Sequence, residues 1–156
     1  MLIHFAKQQD VPRMVELSED KRRSYEKVIP YFWERAENAN EYQHRWFSSL
    51  LNNENYLLYV AEDGHEVSGF VIGQIIKAPD VYAPGGFTLS IDDFCVASSA
   101  LWDTVGSKLL EAVINEGKKR GAVQVLVVCG HHDEVKRSFL QSQNLQIASE
   151  WYVKSV

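Results

Sequence analysis

The chain has 156 residues, of which 46% are apolar and 24% charged, and its formal net charge is −5. That length suits one domain over residues 1–156 with a real core, and sparse Pro and Gly exclude a disordered chain. The acidic balance leaves no concentrated basic face for phosphates, so no nucleic-acid partner is expected.

Leu2 to Ala6 reads as a first strand, and Asp10 as the N-cap of a helix to about Asp20, with Pro12 in its first turn and Val11, Met14, Val15 and Leu17 on its apolar face. Lys21-Arg22-Arg23 reads as a solvated helix surface. Pro30 should break the following helical stretch, Asn38-Ala39-Asn40 should be a loop, and a further helix is expected from about Glu41 to Leu51. Tyr56 to Ala61 and Val67 to Lys77 form a hairpin about Glu62-Asp63-Gly64-His65, and Ala78 to Gly86 is a loop. Phe87 to Ala97 is a third long strand. Val105, Leu109, Ala112 and Val113 recur at helical spacing up to Gly121. Val123 to Cys129 is a nearly continuous apolar run, which predicts a strand covered on both faces. Asp133 caps a last helix to about Ser142, and Ile147 to Val153 is a final strand. Cys95 and Cys129 lie in apolar strand-like runs and read as reduced, buried thiols. No apolar run nears the ~20 residues that span a bilayer, and no basic leader precedes an apolar stretch, so no membrane partner and a cytoplasmic location are expected.

The order β-α-α-β-β-β-α-β-α-β describes an α/β chain built on a mixed (α+β) sheet. Its most specific stretch is IDDFCVASSALWDTVGSKLLEAVINEGKKRGA, Ile91 to Ala122, followed by QVLVVCG, Gln124 to Gly130. A strand that turns tightly into a helix offers unpaired backbone N–H groups and the positive end of a helix dipole, to which a diphosphate is suited. With Ile3-His4-Phe5 and Asp10-Val11 at the start, this order resembles the GNAT superfamily of N-acetyltransferases over essentially the whole chain. The resemblance implies a GNAT-like acyltransferase fold, acetyl-CoA or another acyl-CoA as cosubstrate, no metal, and an amine of a small molecule or peptide as acceptor. It places the cofactor-binding positions on Cys95, Val96, Leu101, Trp102, Asp103, Thr104, Val105, Gly106, Ser107 and Asp133. Within the family's Gln/Arg-x-x-Gly-x-Gly/Ala loop the basic residue falls on Leu101 and the two glycines on Thr104 and Gly106, so only Gly106 matches. Trp102 stands where a glycine is common. The family's Asn, its general-acid Tyr and its Gly-Phe fall on Asp133, Leu140 and Asn144-Leu145.

Acyl transfer to an amine requires a base for the amine, a donor for the oxyanion, and a proton for the leaving thiolate. In a GNAT-like site a backbone N–H near Cys95-Val96 faces the thioester carbonyl. Asp92 and Asp93 are the candidate bases, and strand alternation lets only one face the acceptor, with Asp93 preferred. Leu140 cannot donate a proton, so another group or water must. The acceptor pocket is expected between the helical region and the 78–86 loop. The aromatics there (Tyr25, Tyr31, Phe32, Trp33, Tyr42, Trp46 and Phe47) are placed mainly in the core. His131-His132-Asp133 reads as a capping turn rather than a metal site, and Cys129 as a buried thiol rather than a nucleophile. Two other readings compete: a GNAT-fold protein that has lost catalysis and binds a ligand or partner, and a structural subunit whose exposed aromatics mark a homodimer face.

Overall fold

A computed structural model describes residues 1–83 and 85–156, so Pro84 of the 78–86 loop lies outside the described residues. The strands are β1 (Leu2–Phe5), β2 (Tyr56–Asp63), β3 (Glu66–Lys77), β4 (Phe87–Val96) and β5 (Ala122–Val127). The helices are α1 (Val11–Glu26), α2 (Pro30–Trp33), α3 (Ala39–Leu50), α4 (Ser107–Lys119) and α5 (Glu134–Ser142). One five-stranded sheet runs β1-β2-β3-β4-β5, antiparallel except for the parallel β4–β5 pair.

Period-two alternation along β2 and β3 sends Leu58, Val60, Phe70 and Ile72 to one face, where Val11, Met14, Val15 and Leu17 of α1 and Phe47 and Leu50 of α3 cover them. Leu57, Tyr59, Ala61 and Val71 go to the other face, against Leu109, Leu110 and Val113 of α4 and Phe139 and Leu140 of α5. α1 continues past Asp20 because Lys21-Arg22-Arg23 are good helix formers and Tyr25, 8% exposed, supplies one more inward position. Pro30 then opens the single-turn α2.

β4 carries a bulge. Ile72 pairs with Asp93 but Gly73 with Ile91, which leaves Asp92 without a partner. Alternation is therefore interrupted: Ile91 and Phe94 lie on the α4–α5 face, while Cys95 lies on the α1 face. β4 and β5 pair only to Ile91 and Val127, with one more bond from the Val128 N–H to the Ile91 carbonyl at 2.9 Å, and no later pair joins them. Past that point the two strands splay.

Three expectations need correcting. Residues 147–153 form no strand; Glu150 pairs with His131 at 3.3 Å, and the Val153 carbonyl accepts from the Tyr31 hydroxyl at 3.1 Å. Strand propensity expresses itself only against a neighbouring ladder, and here the sheet ends at β5. β5 is consequently an edge strand covered on one face: Val125 and Val127 pack on the core, while Val123 and Leu126 are exposed. Lastly, of the aromatics assigned to the core only Tyr25 and Phe47 are buried, and Tyr31, Phe32, Trp33, Tyr42 and Trp46 are exposed.

Candidate functional site

The chain after β4 winds into helix earlier than its loop-like sequence suggests. A 3-10 turn at Ser99–Leu101 runs into a π-helical turn at Trp102–Gly106 and then into α4. Unpaired amides belong to the first turn of such a run, which lies upstream of Trp102. Trp102, Val105 and Gly106 are buried, Leu101 and Ser107 are partly buried, and Asp103 and Thr104 are exposed. The Trp102 indole stacks on Phe139 (ring centroids 5.1 Å apart) and meets Phe94 edge-on at 4.9 Å. A Cβ on Gly106 would lie 2.7 Å from Trp102 Cε3, so this glycine is required by the indole packed against it.

The splay between β4 and β5 is bridged from both layers. From α5, the Lys136 amine donates to the Phe94 carbonyl at 3.0 Å and lies 5.5 and 5.6 Å from the centroids of Phe94 and Trp102. Lys136 is only 1% exposed, and burial followed by the Lys21 charge holds its pKa below the ordinary lysine value. From α1, the Tyr25 hydroxyl accepts the Gly130 N–H at 3.0 Å, and burial pushes its pKa up to about 12. Tyr25 also meets Trp33 and His132 edge-on, and His132 Nε2 is buried without a hydrogen-bond partner. Asp133 caps α5 by accepting the Lys136 backbone N–H at 3.2 Å.

The two candidate bases separate at the bulge. Asp92 is exposed, whereas Asp93, 21% exposed at its side chain, pairs with Lys21 Nζ at 2.9 Å. Burial alone would lower the Lys21 pKa, but Cys95 and Asp93 outweigh it and the net shift is upward. Burial also raises the Cys95 thiol, so near neutral pH Asp93 rather than a thiolate is the effective partner. Cys95 is buried on the α1 face beside this pair, and Val96 is partly buried against the α4–α5 core. Burial likewise raises the Cys129 thiol. Of these residues sequence reading names Lys21 only as helix surface, Tyr25 only as a core aromatic and His132 only as part of a capping turn, and it does not name Lys136; a lysine one turn before the apolar Leu140, on the same face of the last helix, is the available signal for it.

The donor set of the splay suits an amide-bearing arm such as that of an acyl-CoA. The Phe94 carbonyl is held by a nitrogen donor and the Gly130 N–H by an oxygen acceptor, the two polarities of a single amide. Two surface cavities, of about 340 and 590 Å³, lie elsewhere, one beside Leu51–Glu54 and Arg120 and the other between α1 and α3. Lys136 and Tyr25 would thus have to yield for such an arm to enter.

No curated protein matches the sequence at a significant level. Among solved structures, the tetramutant of the BH1408 protein from Bacillus halodurans aligns with a TM-score of 0.86 at 18% identity over 100% of both chains. A predicted acetyltransferase from Clostridium acetobutylicum, solved with acetyl-CoA, aligns at 0.73 with 17% identity, over 99% of this chain and 95% of its own. An aminoglycoside antibiotic 6'-N-acetyltransferase from Acinetobacter haemolyticus aligns at 0.75 with 11% identity, over 100% of this chain and 99% of its own. At these identities the likeness establishes the fold. The profile of the Acetyltransferase (GNAT) family matches residues 15–143, most of the sequence, and the chain therefore belongs to that family and is an acyltransferase of the GNAT type.

Proposed function

We propose that this chain transfers an acetyl or related acyl group from acyl-CoA to the amine of a small molecule or peptide, working as a single domain in the cytoplasm. The observation that carries the reading is the splay: past Ile91 and Val127 the parallel strands part, and the Phe94 carbonyl and Gly130 N–H turn to side chains instead of to each other. Those are the main-chain groups an amide-bearing arm needs. Asp93, paired with Lys21 at 2.9 Å, serves as the base on the α1 side, and the amine enters past the exposed aromatics Phe32 and Trp33. The bound acyl-CoA supplies the thioester; the chain supplies the oxyanion donor near Cys95-Val96 and the orientation of the amine.

A second reading, a GNAT-fold binding protein without catalysis, is favoured by one specific observation. Trp102 and Lys136 fill the region between α5 and β4. Thermal unfolding with and without millimolar acetyl-CoA separates the two. Binding to the folded state alone stabilises by about 2.7 kcal/mol at a hundredfold excess over Kd, a rise of several degrees in Tm for a domain of this size. A flat Tm at saturating ligand would sink the transferase reading and leave the binding protein.

A further inference from the structure

A lysine that is 1% exposed is costly, because a charge in the interior loses its hydration unless it is paired. Among the described residues no carboxylate pairs with the Lys136 amine. Its amine makes a hydrogen bond to the Phe94 carbonyl and lies near two aromatic rings. The titratable groups that face it are Lys21 from α1, Cys95 from β4, Cys129 beyond β5 and Asp133 from the cap of α5. Met or Leu at this position would fill the same space without that cost. The amine sits within hydrogen-bonding distance of the β4 carbonyl that opens onto the splay.

We propose that Lys136 is an internal acyl acceptor, whose amine takes the acyl group of a thioester lying in the β4–β5 splay. The inference rests on the acyl-CoA reading above and adds an acceptor carried by the chain itself. The free-base nitrogen leaves the Phe94 carbonyl and attacks the thioester carbonyl carbon. The C–N bond forms, the C–S bond breaks with its electron pair going to sulfur, and the proton lost by nitrogen ends on that sulfur. The products are an amide on Lys136 and a free thiol. The step is stoichiometric, since an amide does not turn over, and the amide N–H can return to the Phe94 carbonyl. Burial and the neighbouring Lys21 raise the fraction of free-base amine, the form that can attack.

The test needs no external amine. The intact protein is incubated with acetyl-CoA alone and followed by whole-protein mass and by peptide mapping, with Tm recorded in parallel. Lys136 should gain one acetyl group on the order of tenfold faster than the exposed Lys118, because a thioester held in the splay lies next to its amine. Excess CoA should suppress labelling of Lys136 and leave Lys118 unaffected. Lys136→Met should abolish the fast label while keeping a cooperative melt. If acetyl-CoA raises Tm but Lys136 stays unlabelled, or labels no faster than in urea-unfolded protein, the internal-acceptor proposal fails and the acyl-CoA reading survives. If Tm does not move and no fast label forms, both fail together.

Discussion

The Tyr25 hydroxyl and the Gly130 backbone N–H are joined by a 3.0 Å hydrogen bond across 105 positions of chain, and the same ring occupies the space a side chain on Gly130 would need. A Cβ at Gly130 would come within 2.8 Å of Tyr25 Cζ. This contact ties α1 to the far end of the sheet on one side of the splay.

Tyr25→Phe keeps the ring and removes the acceptor. The part-buried Gly130 N–H is then unsatisfied, which costs about 1–3 kcal/mol. Urea unfolding should show a lower midpoint with an unchanged slope, because the fold and its buried area are retained. An unchanged midpoint would mean that water replaces the hydroxyl without loss.

Glu19 of α1 is held by three arginines: Arg22 at 3.1 Å, Arg23 at 3.1 Å, and Arg35. Burial pushes its pKa upward, but hydrogen bonds from Arg23, Arg35 and Arg22 outweigh that, so the net shift is downward. A carboxyl whose pKa is lower folded than unfolded binds fewer protons when folded. Its stabilisation is therefore complete above the unfolded value of about 4.3 and is lost as pH falls through the folded value. Glu19→Gln should cost about 1–2 kcal/mol at pH 7, solvent screening of the arginines keeping the loss modest. It should also flatten the fall in Tm below pH 5 or so, and an unaltered acid limb would exclude Glu19 as its source.

Gly106→Ala sets a methyl against the Trp102 indole at 2.7 Å and the Phe139 ring at 3.3 Å. Overpacking of that kind costs about 1–3 kcal/mol. Because the closer of the two clashes is with the Trp102 indole, Trp102→Leu in the same chain should recover part of the loss, a coupling that a double-mutant cycle in thermal melts measures. Additive losses would place the strain in the backbone instead.

The fold was legible because its signals are local and mutually consistent. Hydrophobic period two along β2 and β3, and the helical recurrence of Val105, Leu109 and Val113, each identified an element. The edges of the sheet were not legible. Residues 147–153 have a strand-like composition, but a strand exists only where another backbone accepts its ladder, and that is decided by partners distant in sequence. At the site, the register placed Cys95 and Asp93 on the strand leading into the splay, while the bulge at Asp92 escaped notice because one extra residue leaves no compositional trace. Lys136 escaped for a different reason. A lysine on an amphipathic helix reads as solvent-facing, and only the tertiary contact with the Phe94 carbonyl reverses that reading.

Four tryptophans are spread over the molecule, and three of them, Trp33, Trp46 and Trp151, are 36, 50 and 77% exposed, whereas Trp102 is 7% exposed. Emission from the buried indole is shifted to shorter wavelength than that of the solvated three, and external quenchers such as iodide reach it least. Trp102 is also the indole next to the Lys136 amine, 5.6 Å from ring centroid to nitrogen. The splay thus carries its own optical reporter: whatever enters it, or whatever becomes of that amine, alters the blue edge of the protein's intrinsic fluorescence, with no label attached.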